Sequence, residues 1–343
     1  MGKAIITSRS GGIAVNNGSS AELQTEIFKA NDTFIVPKAR NQQFSVRIFG
    51  GGGGGYGSGG RSGSGGTTYP VSVGGGGGWM NNAVLTINQG EFVFITIGKG
   101  GKGSTRTTEA TNGGTSSFGK YLYALGGTAA SYTRGGFGGS GGGFESNSIH
   151  WSGDGGTGYQ FGGGGGGGDG YGYGGNGGKW GGGGGGKHST NQSDFPHGGC
   201  LYGNSQNMNE ITGYSGLGGN GYARIRNGNS VTNGINTIGN SEVPETLQGP
   251  GLAGEMYTGG GGGYGGCGGN NGGGGGGYGG DGGNHGGGGG SYNKGGDGSP
   301  NPNFTGTVPT MDGVFGGGGG GNKNGGNSGN GGDGICIIQY YSA

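Results

Sequence analysis

Charge is scarce in this chain of 343 residues, with 18 Lys and Arg against 17 Asp and Glu and a net of +1. A nucleic-acid binder needs a basic surface to displace counterions, and none is available here. Arg-Gly-Gly occurs once, at Arg134, which excludes an RGG-type RNA-binding tail. Proline is equally sparse, at 8 residues, and the glycines do not recur strictly at every third position. Collagen requires both, so a collagen triple helix is excluded. Cys200, Cys267 and Cys336 are an odd number and lie far apart, so they form no disulfide framework. Cys336 falls in a strand pattern and reads as a small buried apolar residue. No apolar run approaches the ~20 residues of a membrane span, and residues 1–20 lack a secretory apolar core. The expectation is a protein that does not insert in a membrane. It would be made in a host cytoplasm without a signal peptide and released, if at all, by lysis.

Catalytic and metal-binding patterns are thin as well. His188, Asp194, His197 and Cys200 stand at spacings that match no common structural zinc pattern. Solvated loop residues are the plain reading, and no metal is expected. HExxH and P-loop motifs are missing, and GxGxxG matches arise trivially from the glycine runs. A phosphate-cradling loop needs a following helix, and no helix is readable. The carboxylates form no pair suited to glycoside hydrolysis. The chain therefore reads as a non-enzyme that needs no cofactor.

What the chain does have is glycine, 116 residues of it, in blocks. Runs at 50–55, 74–78, 162–168, 181–186, 259–263, 272–277 and 316–321 are unbroken. Such runs have no side chains to bury, and glycine loses more backbone entropy on ordering than any other residue. They are either disordered or packed through bare backbone. Hydrophobic content of 26% favours disorder, but the near-zero net charge and the strand patterns between the blocks favour order.

Those strand patterns are specific. Phe34, Ile35 and Val36 lead to Pro37; Phe44, Val46 and Ile48 then alternate with Ser45 and Arg47 and run straight into Gly50. Residues 83–87 and 91–97 are β-rich runs joined by Asn88-Gln89-Gly90, which predicts a hairpin. Residues 117–125 and 221–226 are further candidates, and 334–341 closes the chain. Leu23, Thr25 and Ile27 suit a strand, while Leu23 and Ile27 equally suit a short helix. The fold expected is mostly β and irregular, with short strands framing polyglycine II helices and essentially no α-helix.

In polyglycine II the backbone rises ~3.1 Å per residue with three residues per turn and no internal hydrogen bonds. Adjacent rods then bond to each other sideways, and an interior side chain would hold them apart. Gly50, Gly74, Gly162, Gly181, Gly272 and Gly316, each opening a run, are the scaffold positions. Triplet spacing at Tyr278, Asp281 and Asn284 would place those residues on one edge, facing solvent or rim. The chain divides into an N-terminal attachment or oligomerisation segment at 1–33 and a glycine-rich module with strands at 34–228. A loop or linker follows at 229–258, then a second glycine-rich module with a closing strand at 259–343. A single module interrupted by 229–258 is the other reading.

Val36-Pro37 followed by an alternating strand into Gly50, the segment 95–103 (ITIGKGGKG), the segment 113–119 (GGTSSFG) and the closing GGDGICIIQYY resemble the glycine-rich domain of bacteriophage tail-fibre and receptor-binding proteins. The similarity extends more loosely to the distal adhesin of T-even phages, a polyglycine II sandwich. It covers about residues 34–343; residues 1–33 match no anchoring domain of that family. The resemblance implies a virion protein that attaches to the host through loops displayed on a glycine scaffold. Its partners would be a bacterial surface polysaccharide or outer-membrane protein, and other virion tail or fibre proteins reached through residues 1–33. A homo-oligomer is compatible with it.

The glycine-poor insertions at 61–73, 144–152, 187–214, 229–257 and 291–315 are rich in Asn, Ser, Thr and aromatics. That composition resembles a paratope, in which rigid aromatics give area and small polar groups adapt. The receptor-binding candidates are Trp151, His188, Phe195, His197, Tyr202, Tyr214, Tyr292 and Phe304. The plain alternative is that these side chains only cover the scaffold's edges. From a different class, the chain reads as a self-assembling structural filament or virion subunit without receptor binding. An ice-binding reading lacks the strict G-x-x repeat it would need.

Overall fold

The computed structural model describes residues 4–8, 21–58, 71–105, 107–146, 153–159, 164–165, 174–175, 177, 268–269, 273–298, 311–322 and 327–343. Among these the protein is nearly all strand and irregular backbone, with one 3-10 turn at Arg40–Gln42 and no α-helix. The strands are β1 (Ala4–Ser8), β2 (Leu23–Phe28), β3 (Asp32–Ile35), β4 (Gln43–Phe49), β5 (Tyr56–Ser58) and β6 (Val71–Val73). They continue as β7 (Met80–Thr86), β8 (Phe92–Thr96), β9 (Ser116–Phe118), β10 (Leu122–Ala124), β11 (Phe144–Ser146) and β12 (Ile335–Tyr341).

Two antiparallel sheets face each other. One runs β1-β2-β12-β4-β7 and the other β10-β9-β8-β3. The alternation at Phe44, Val46 and Ile48 turns those side chains inward, where they meet Phe28, Phe34, Val93, Ile95, Phe118, Cys336 and Ile338. Phe34 packs edge-on against Phe28 and Phe44, with ring centroids 6.3 and 5.7 Å apart. Leu23, Thr25 and Ile27 belong to a strand, so the helical alternative for that segment falls. β2 lies between β1 and β12, and residues 23–33 are integral to the sandwich rather than a segment apart from it.

Two strand predictions change. β7 and β8 exist but do not form a hairpin, because β7 pairs with β4 while β8 pairs with β3 and β9. The turn ending at Gly90 (φ 81°) instead carries the chain from one sheet to the other, held where the Ile87 N–H bonds to the Gln42 carbonyl and the Gly90 N–H to the Val36 carbonyl. The single strand expected at 117–125 is a hairpin of β9 and β10, broken at Gly119 (φ 50°). The strand expected at 221–226 lies outside the described residues.

Beyond the sandwich the glycine segments pack side by side. Along residues 50–55 each N–H donates to a different neighbour in rotation. Gly50 and Gly53 reach Trp79 and Gly76, Gly51 and Gly54 reach Gly114 and Thr111, and Gly52 and Gly55 reach Gly332 and Gly329, at 2.8–3.0 Å. Carbonyls of the same segment accept from Gly127 and Ala130, from Gly101 and Ser104, and from Gly319. Residues 74–79 do the same, donating to Gly143 and Ser140, to Gly319 and Gly316, and to Thr128 and Leu125. A donor therefore returns to the same neighbour every third residue, and these segments are bonded on all sides. A Cβ on Gly54 would lie 1.9 Å from the Lys102 carbonyl oxygen, closer than any real contact.

Among the described residues, several serines are buried between the glycine segments with their hydroxyls on a carbonyl. Ser140 donates to Gly290, Ser291 to Gly78 (2.8 Å) and Ser72 to His285 (2.8 Å). The expected modules at 34–228 and 259–343 interleave in this bundle: Gly75 donates to Gly319, Gly52 to Gly332 and Gly275 to Gly141. At least in the described residues, the two halves share one hydrogen-bonded body.

Candidate interaction surfaces

The bundle has two distinct ends. Its proximal end meets the sandwich, because residues 50–55 leave β4 and residues 74–79 enter β7. Phe49, Met80, Ile335 and Ile337 seal that junction with Tyr278, and Tyr292 and Phe315 pack beside them. The distal end is closed by a small antiparallel sheet, β11-β6-β5, over Val71, Val73, Ala130 and Phe144.

Chain connections gather at the distal end. Ser58 and Val71, which flank residues 59–70, end β5 and begin β6. Residues 147–152 are flanked by Ser146 in β11 and by Gly153, which lies against the Phe144 ring. Gly298 and Met311 flank residues 299–310; Gly298 sits over Ser72 of β6, and the Met311 carbonyl accepts from Gly320 (2.8 Å). Asn322 and Asn327 flank 323–326, joined where the Asn322 Nδ2 donates to the Asn327 carbonyl (3.1 Å).

The described part of this end is polar with aromatic relief. Thr105, Thr107 and Thr108 cluster their hydroxyls, with Thr105 Oγ1 and Thr108 Oγ1 2.7 Å apart. Tyr56 and Tyr132 stack edge to face at 6.1 Å, and Arg134 lies over the Phe137 ring at 4.6 Å. Burial, then the neighbouring Tyr56, raises the Tyr132 phenol above its ordinary value.

Of the eight receptor-binding candidates, Trp151, His188, Phe195, His197, Tyr202, Tyr214 and Phe304 lie outside the described residues. Tyr292 is described and sits at the proximal end, half-buried, its ring 5.2 Å from that of Phe49. It packs at the junction. The insertion limits also shift: Val71–Val73 and Phe144–Ser146 are sheet, and residues 293–298 bond to other segments of the bundle. Among the scaffold positions, Gly50 and Gly74 lie in the bundle, where a Cβ would meet the carbonyl oxygens of Leu125 at 2.0 Å and Gly287 at 1.9 Å. Gly316 has φ +82° and opens its segment at the proximal end, donating to Asp333. Gly162, Gly181 and Gly272 lie outside the described residues. In the triplet, Asp281 is exposed and Asn284 half-buried, while Tyr278 is buried against Phe49.

A second surface was not foreseen. The outward face of the β10-β9-β8-β3 sheet exposes Ile35 (59%), Phe92 (64%), Phe94 (70%) and Tyr123 (61%). Ile35 is directly opposite Phe92, and Phe94 opposite Thr33. Thr96, Ser117 and Tyr123 continue the same face across β9 and β10. The signal was present in Phe92-Val93-Phe94-Ile95, which is apolar at both parities. A strand covered on one face only should alternate.

Among the described residues no group of three or more His, Cys, Asp or Glu side chains could hold a metal ion. No helix among them is long and apolar enough to cross a membrane. Burial pushes the Cys336 thiol far up, so it stays protonated inside the sandwich. No protein-family model matches the chain, and no curated protein matches it.

Proposed function

We propose that this chain is a phage tail-fibre or receptor-binding adhesin that recognises the bacterial surface through loops held on a polyglycine II scaffold. The observation that carries the reading is the polarity of the bundle. Segments 59–70, 147–152, 299–310 and 323–326 are all flanked by residues at the distal end, whereas β1, β2 and β12 lie in the proximal sandwich. Such a molecule presents these four connections at one end and keeps β1, β2 and β12 at the other. Binding loops carried on a rigid frame follow the same logic. The three-residue hydrogen-bond repeat and the lack of room for any Cβ support the polyglycine II assignment, since three residues per turn is that helix's period. Attachment to other virion proteins would fall to the proximal end, where residues 1–33 contribute β1 and β2.

The test is loop replacement. Residues 59–70 and 299–310 are exchanged for Gly-Ser sequences of equal length, and binding of purified protein is measured across a panel of bacterial strains. The expected result is loss of cell binding with a melting temperature within about 2 °C of the parent, because surface changes away from packed features are nearly neutral. Undiminished binding after both replacements would sink the reading.

A further inference from the structure

We infer that the outward face of the β10-β9-β8-β3 sheet is a self-association surface, occupied by the same face of a second copy of this chain. The inference is independent of the adhesin reading and rests on the composition, size and shape of the face. The outward positions carry no charge, being Ile35, Phe92, Phe94 and Tyr123 with Thr33, Thr96 and Ser117; the exposed Asp32 that opens β3 falls on the other parity, opposite Ile95. Charge depletion with aromatic enrichment is what marks the core of an interface. In a chain where charged side chains are already few, the face offers neither an acidic nor a basic partner any handle.

Size points the same way. The four apolar side chains together expose on the order of 500 Å², which is as large as the largest apolar patch on a typical monomer. With Thr33, Thr96, Ser117 and the half-exposed Leu125 at the end of β10, the face approaches the ~800 Å² per partner of a standard stable interface. A dimer could be built from this face alone.

Shape identifies the occupant. The surface is one face of a four-stranded antiparallel sheet, so it is complemented by another apolar sheet face at ~10 Å, strands aligned within about 30°. A two-fold pairing supplies that surface from the identical strands of a second molecule, Phe92 and Phe94 of each lying against those of the other. The sandwich is proximal, so the pairing leaves both distal ends free and would make any contact made there bivalent.

The experiment compares full-length parent, F92E/F94E and F92S/F94S by sedimentation equilibrium from about 1 to 100 μM, with thermal melts of each. The parent is expected at twice the 33.0 kDa chain mass. Both variants should sediment as single chains, with association weakened at least about a hundredfold, and should still melt cooperatively, at or below the parent's melting temperature because the parent's pairing adds concentration-dependent stability. If F92E/F94E fails to fold, F92S/F94S decides. A parent that stays monomeric throughout the range, whether because the face is bare or because another segment or protein covers it, overturns the inference. So does an oligomer that persists in a folded variant.

Discussion

A methyl group is the smallest change a residue can make, and in this protein its cost depends on which glycine receives it. At Gly54 the added Cβ would stand 1.9 Å from the Lys102 oxygen and 2.4 Å from its carbonyl carbon, so one backbone segment must move. At Gly90 nothing lies within 4 Å, and only the left-handed backbone (φ +81°) resists. Gly90→Ala should cost about 1–2 kcal/mol, the usual penalty for an L side chain in that region. Gly54→Ala should cost at least about 3 kcal/mol, as overpacking against an unyielding backbone does. Denaturant titration of both variants checks this, and equal losses would mean the bundle yields more readily than its hydrogen bonds imply. Tyr340 offers a second residue-scale test. Its hydroxyl donates to Glu26 Oε1 (3.0 Å), and burial followed by the Glu26 charge raises its pKa well above the ordinary 10.0. A phenol that holds its proton more tightly when folded gives full stability below pH 10, which is lost as pH climbs above that value. The parent should therefore lose stability above about pH 10, and Tyr340→Phe should flatten that fall while costing about 1–3 kcal/mol at neutral pH. A melt series from pH 7 to 11 reads both effects.

Strand identities were legible because alternation records burial: Phe44, Val46 and Ile48 point inward on β4, and Val93 and Ile95 inward on β8. Strand partners were not legible. Ala83 and Leu85 on β7 face the same core as Val93 and Ile95 on β8, but from the opposite sheet. A three-residue connection with glycine at its end serves a hairpin or a crossing between sheets equally well, and only the bonds from Ile87 to Gln42 and from Gly90 to Val36 decide. The glycine segments conceal even more, since one run is chemically identical to the next and contains no address for its neighbours. Which segment lies in the middle is a property of the assembled bundle, and amide exchange should reveal it. Amides of residues 51–54 and 75–78 bond within a ring of neighbours and should exchange only through global unfolding. Those of Gly100, Lys102 and Gly103 reach side chains at the rim, Asp333, Thr111 and Asn330, and should exchange at least about tenfold faster. Equal, rapid exchange in both sets would remove the scaffold on which the proposed function stands.

On the scale of the whole molecule, the segment that opens at residue 21 and the last described segment are bound together. β12 lies between β2 and β4, and the Ser342 N–H donates to the Glu22 carbonyl at 2.9 Å. The division into modules at 34–228 and 259–343 was drawn from texture, and texture does not record that residues 316–319 bond to both segments 50–55 and 74–79. The candidate site was legible to a similar degree: insertions were recognisable from composition, but the end of the bundle to which they belong depends on the direction of every glycine segment. Closing the sheet with the last strand has a consequence for folding. β12 buries Ile335, Cys336, Ile337 and Ile338 completely or nearly so, at ~1.5–3 kcal/mol for each large side chain. Their sum is of the order of the 5–15 kcal/mol by which a domain is stable at all. Deleting residues 335–343 should therefore leave a chain cleaved by protease throughout, glycine segments included, although no residue of the distal end has been touched. A local role for β12 would instead confine new cleavage to β2 and β4 and leave 74–79 and 286–298 protected. Limited proteolysis read by mass spectrometry separates the two outcomes, and the first would mean that the bundle has no stability of its own without the sandwich that anchors its proximal end.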